Sequence, residues 1–237
     1  MRSRMARRNY MKRMEKKEKK QFRCLMNEVP VEGSPIGSKG TMRKLTRKEY
    51  LSESVIDSTH TFVTSDHHFW SCRHPFQKLT TREEDDAHIA LWNQVVGKDD
   101  LVLYVGDFCD SERVVDLAGL VGRLNGRKIL VKGNHEQRLL DLGLIGEEVY
   151  RMAFDDVVDE LDIPKWNVVL MHSPMVRDVP RGGRLIHGHV HEVTEDYPTF
   201  SDRSFCCCAM RHSWKPVRLS EALRAMEEAR LRAVSAC

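Results

Sequence analysis

The apolar positions of this chain fall into short runs punctuated by polar clusters. Thr61-Phe62-Val63-Thr64, Leu101-Val102-Leu103-Tyr104-Val105 and Lys128-Ile129-Leu130-Val131 are β-rich, too short for helices, and each is followed by a polar motif. Further strands are predicted at Val157–Leu161, Asn167–Met171, Arg184–Ile186 and Phe205–Ala209. Between the first two runs, Thr81-Arg82-Glu83-Glu84 has the form of a capping box opening a helix, with Ala87, Ala90, Leu91 and Val95 on one face. A second helix is predicted over Ser111–Leu124, presenting Val114, Ala118 and Val121. A third begins at Ser220, with Leu223 and Met226 inward. Strands alternating with helices, then strands with short connections, predict an α/β layered fold.

The polar motifs sit where such a fold concentrates chemistry. Residues just past the C-terminal ends of strands in α/β sheets converge on one crevice. Here those positions are Asp66 and His68, Asp107, Asn134 and His135, His172, and His189 and His191. Taken singly, each is a common cap, turn or satisfied polar pair. Five successive strand ends carrying carboxylate, imidazole and amide groups make a metal site the simpler account. The mixed nitrogen and oxygen donors suit manganese, iron or zinc and disfavour calcium. His67 would face away from His68, and His187 reads as a core or supporting residue.

Charge divides the 237 residues in two. Residues 1–48 hold 16 Lys/Arg against 4 Asp/Glu, a net +12, which leaves 22 basic and 31 acidic residues, a net −9, for the rest. Val29–Ser38 is rich in turn formers, so residues 1–48 are expected to form a basic extension and linker, helical or disordered, ahead of one folded domain over 58–237. Such a head has the chemistry to contact nucleic acid or an anionic surface, or simply to be solvated. No apolar stretch is long enough for a transmembrane segment, and none follows the charged N-terminus as in an export signal, so a cytoplasmic location is expected. Seven cysteines, three of them consecutive, form neither a disulfide framework nor a zinc-finger pattern and are expected to be buried free thiols.

The five motifs Asp66-x-His68, Gly106-Asp107, Gly133-Asn134-His135-Glu136, His172 and Gly188-His189-x-His191 resemble, in order, those of the calcineurin-like metallophosphoesterase family. The resemblance covers about Thr61 to Leu219. It implies a four-layer α/β/β/α sandwich carrying two divalent transition-metal ions, with manganese favoured and iron or zinc the alternatives. Carried over by motif, Asp66, His68 and His191 would hold the first ion; Asn134, His172 and His189 would hold the second. Asp107 would bridge them. A hydroxide shared by the ions would attack phosphorus, and His135 would be the general acid, or else would orient the phosphate.

The substrate is a phosphate ester whose identity is less sharply drawn. Protein-phosphatase members carry an arginine after Gly-Asp, whereas this chain continues Phe108-Cys109-Asp110-Ser111-Glu112, leaving Arg113 as a substitute from the helix. Ser71 stands where members with a longer opening motif carry histidine, and Arg73, His74 and Arg138 are phosphate contacts or solvated surface. A nucleotide or other small phosphodiester is the expectation. A nuclease or a phosphomonoesterase of the same family is the alternative, and a non-catalytic metal-binding scaffold is the reading from another class.

Overall fold

A computed structural model describes residues 56–70, 81–109, 117–175 and 183–235. The basic head 1–48 and the stretch containing Ser71, Arg73 and His74 lie outside the described residues, as does Arg113. The strands are β1 (Thr61–Thr64), β2 (Leu101–Val105), β3 (Arg127–Val131), β4 (Asp156–Val158), β5 (Leu161–Ile163), β6 (Val168–Leu170), β7 (Arg184–His187), β8 (Ser204–Cys206) and β9 (Val217–Arg218). The helices are α1 (Arg82–Val95), α2 (Leu117–Arg123), α3 (Asn134–Asp141), α4 (Glu147–Ala153) and α5 (Leu219–Ser235). No described helix is long and apolar enough to cross a membrane.

The class is mixed α/β. One sheet has the order β4-β3-β2-β1-β9 and the other β5-β6-β7-β8. Within the first, β1 to β4 run parallel and β9 opposes them. Within the second, β6, β7 and β8 run parallel and β5 is antiparallel. Strand alternation sends Leu101, Leu103 and Val105 of β2 into a core shared with Leu161, Leu170 and Ile186 of the second sheet. Val102 and Tyr104 point the other way and pack beneath Ile89 and Trp92 of α1 and Leu120 of α2. The apolar stripe of α5, Leu219, Ala222 and Met226, enters the first of these cores.

Three sequence expectations need correction. The predicted strand Val157–Leu161 is two strands in different sheets: Val158 pairs with Val131, Leu161 with Leu170. Asp159 and Glu160 lie at the crossing, where Asp159 meets Lys132 at 2.9 Å, because a charged pair is better placed at a surface crossing than in a core strand. The capping box at Thr81 forms as predicted, but α1 turns Asp85, His88, Ile89 and Trp92 inward and leaves Ala87 and Ala90 exposed. Burying one indole outweighs a stripe of alanines, and Trp92 Nε1–H reaches the Asn125 carbonyl at 3.1 Å. In α2 the inward residues are Leu117, Leu120 and Val121, while Ala118 is exposed. Residues 111–116 of that predicted helix lie outside the described residues.

Candidate metal centre

The parallel strands of both sheets end at the same rim. Asp66 and His68 follow β1, Asp107 follows β2, Asn134 opens α3 after β3, His172 follows β6, and His189 and His191 follow β7. The turns are cross-tied: Asp66 N–H donates to Gly106 O at 3.0 Å, His68 N–H to Asp107 O at 3.2 Å, and Gly188 N–H to His172 O at 3.0 Å. Four of these residues sit in the left-handed backbone region, Asp66 (φ 57°), His68 (φ 47°), Asp107 (φ 56°) and His189 (φ 68°). Asp and His tolerate that region better than most residues, at a cost of about 1–3 kcal/mol each, and such strain clusters at functional sites. Two glycines make the close approach possible. A Cβ on Gly106, itself at φ +81°, would stand 2.7 Å from Gly133 Cα, and one on Gly133 would run into Asp107 Oδ1.

All seven residues predicted as ligands lie together at this rim, and within each of the two implied groups the donors stand close, His68 also beside Asp107 and His135. In the first group His68 Nε2 is 3.4 Å from His191 Nε2, His191 Nε2 is 3.3 Å from Asp66 Oδ1, and His68 Nε2 is 3.9 Å from Asp66 Oδ1. In the second, Asn134 Oδ1 lies 3.0 Å from His172 Nε2 and 2.9 Å from His189 Nδ1. Asp107 Oδ2 serves both groups, 3.1 Å from His172 Nε2 and 3.9 Å from His68 Nε2. Donors at 2.0–2.2 Å from one ion are separated by about 3.0–3.6 Å when adjacent; the spacings are close to that range apart from the two of 3.9 Å at His68, so each group could enclose a cation.

Electrostatics fit the same use. Burial pushes the Asp66 carboxyl up, but the His191 hydrogen bond and the charges of His172 and His191 outweigh it and hold Asp66 at about 2. Burial pushes His172 down, yet the hydrogen bond and charge of Asp107, with Asp66 behind it, raise it to about 9. Two buried carboxylates thus call for positive charge, which a protonated His172 supplies in the bare protein. His172 Nδ1 lies 2.8 Å from the Val105 carbonyl, so its Nδ1–H is fixed there and Nε2 is free to face the site. His189 is lowered by burial and then by the His172 charge. Asp66, Asp107, His68 and His172 form the buried floor, while His189 and His191 are half-buried and Asn134 is exposed at the mouth.

His135 joins this group at its rim. Its Nε2 is 3.7 Å from Asp107 Oδ2, its ring meets His68 edge-on at 4.8 Å, and its backbone N–H donates to Asp107 Oδ1 at 2.9 Å. His67 is buried. It stacks on Phe69 at 5.0 Å and bonds Tyr104 Oη through Nδ1 at 2.9 Å, and burial and then the charge of His88 hold it down at about 3. His187 is likewise a buried supporting residue, with Nδ1 2.8 Å from Gly188 O. Arg138 is exposed on α3.

One participant had no assigned role in the motif reading. Glu136 is fully buried, and its carboxylate accepts N–H bonds from Asp107, Phe108 and Gly133, each at 2.8 Å. It latches the Gly106-Asp107 turn to the Gly133-Asn134 turn. Burial, then the Asp107 charge, push its carboxyl up against those three donors. An acid three residues after the N-cap Gly133 is a capping-box signal in the sequence itself.

No family model matches the chain. An uncharacterized protein of Methanocaldococcus jannaschii is 25% identical over 181 residues, covering 72% of this chain and 93% of its own. The gene 66 proteins of Mycobacterium phages L5 and D29 are 31% and 29% identical, covering 46% and 55% of this chain and 65% and 77% of theirs. A solved protein of unknown function from Aquifex aeolicus superposes with a TM-score of 0.50 at 22% identity, over 68% of this chain and 96% of that one, a likeness of fold.

Proposed function

We propose that this chain is a dinuclear-metal phosphoesterase of the calcineurin-like kind, with the two sheets forming the middle of the implied four-layer sandwich. The observation that carries the reading is the double use of Asp107. One carboxylate oxygen touches the donor sets of both groups, 3.1 Å from His172 Nε2 and 3.9 Å from His68 Nε2. Asp66, His68 and His191 would hold one divalent ion, and Asn134, His172 and His189 the other, manganese, iron or zinc being suited to such donors. When bound, the pair supplies Lewis acidity towards phosphate oxygens and lowers the pKa of water.

The chain's own residues account for the rest. The buried floor of Asp66 and Asp107 keeps the anionic charge needed to retain cations beside an anionic ester. Val105 O orients His172, and Glu136 fixes both ligand turns, so the site is held before substrate arrives. His135, half-exposed at the rim, would give its proton to the leaving oxygen as the P–O bond breaks, the group that replaces it on phosphorus being derived from water. A nucleotide or other small phosphodiester is the substrate that the resemblance of the Gly106-Asp107-Phe108 motif favours. Full-length protein should contain two divalent ions per chain and hydrolyse an aryl phosphodiester with added manganese, losing both ions and activity to a chelator. Protein that binds no ion, or hydrolyses equally well after exhaustive chelation, would refute the proposal.

A further inference from the structure

The three consecutive cysteines suture the two sheets directly beneath this centre. Cys207 N–H donates to His187 O at 2.7 Å in one sheet, and its carbonyl accepts from Ser65 N–H at 3.1 Å in the other. Cys208 then forms a parallel bridge with Ser65, the residue before Asp66. All three thiols are buried and free, but their surroundings differ. Cys206 Sγ donates to Val190 O at 3.5 Å and Cys207 Sγ to His187 O at 3.2 Å. Cys208 Sγ instead groups with Asp66 and His191, the three donor atoms lying within 4.8 Å of one another; burial and then the Asp66 charge push its thiol up in the bare protein, against one backbone N–H from Met210. Donors on one ion are about 3.3–3.7 Å apart at tetrahedral angles and at most about 4.4 Å for metal–nitrogen and metal–sulfur bonds of ordinary length, so closure of the triad onto one ion asks only a short side-chain movement.

We propose that Cys208 is a thiolate ligand to the ion held by Asp66, His68 and His191, and that it biases this half of the centre towards zinc over manganese. The inference rests on the dinuclear centre proposed above. Thiolate is a soft donor, poorly matched to manganese and well matched to zinc, and it adds to the preference for zinc that imidazole ligands already carry. On binding, the S–H bond breaks, its proton leaves to solvent and the sulfur lone pair fills a metal position. No electron is transferred.

The test uses the full chain loaded with zinc and read by X-ray absorption at the metal edge. A sulfur shell at about 2.3 Å beside nitrogen and oxygen at about 2.0–2.2 Å is expected in the unsubstituted protein, which needs no variant to fold. Cys208→Ser should lose that shell, Cys206→Ser and Cys207→Ser should keep it, and zinc-over-manganese selectivity at one site should fall at least tenfold in Cys208→Ser alone. Two ions per chain with no sulfur scatterer would overturn the role of Cys208 and leave the centre standing. A sulfur shell that persists in Cys208→Ser would do the same. Absence of any bound ion would overturn the centre and this inference with it.

Discussion

Replacing Glu136 by alanine takes the acceptor away from three backbone N–H groups at once, those of Asp107, Phe108 and Gly133. Glu136 is fully buried, so water does not reach the orphaned donors without opening the site. Each buried donor left unpaired costs about 1–3 kcal/mol, which sums to roughly 3–9 kcal/mol, a large part of the ~5–15 kcal/mol stability of an ordinary domain. Glu136→Gln separates the effects. Its amide oxygen, set in the place of Oε2, keeps the bonds from Asp107 and Gly133, while its NH2 faces the Phe108 N–H, so the loss should be about 1–3 kcal/mol. Urea unfolding of metal-free protein, with chelator present so that bound ions do not mask the difference, measures both variants. An alanine variant within about 1 kcal/mol of the parent at unchanged urea dependence would refute the latch.

Asp107→Ala and Asn134→Ala should reduce bound metal and bring hydrolysis to background; activity comparable with the parent would sink the ligand assignment. His135→Ala should keep two ions per chain while slowing hydrolysis by about 10²–10⁴, most for esters with basic leaving groups, and metal loss as deep as in Asp107→Ala would make His135 a ligand instead of an acid. Gly133→Ala should lose metal and stability together, because its Cβ would occupy the space of Asp107 Oδ1; normal metal content in that variant would count against the packed turn. In metal-free protein, His172, raised to about 9, contributes stability that is full below about 6.5 and lost as pH rises through 9. His67, held at about 3, contributes stability that is full above about 6.5 and lost as pH falls towards 3. Thermal stability without metal should therefore peak near pH 6.5, and a profile flat from pH 6.5 to 9 would contradict the charge assigned to His172.

Legibility followed the range of the forces involved. The convergence of Asp66, His68, Asp107, Asn134, His172, His189 and His191 was legible because parallel strands deliver their trailing residues to one rim, and the runs before them are unmistakably apolar. The capping box at Thr81 was equally local. What needed the third dimension was any choice between competing burials. Alanine spacing suggested the wrong face of α1 because nothing along the chain says that Trp92 finds Asn125 O. The break between Val158 and Leu161 depends on two sheets meeting, and the Cys208 environment depends on β8 returning to the end of β1.

The left-handed backbone at Asp66, His68, Asp107 and His189 bears on how such a site can be lost. Glycine adopts that conformation freely, so a chain selected for fold robustness alone drifts towards glycine at these four positions and gives up donor atoms with each step. If the proposed centre is right, relatives that keep the two sheets without its chemistry should be sturdier than this protein and should carry glycine at some of these four positions.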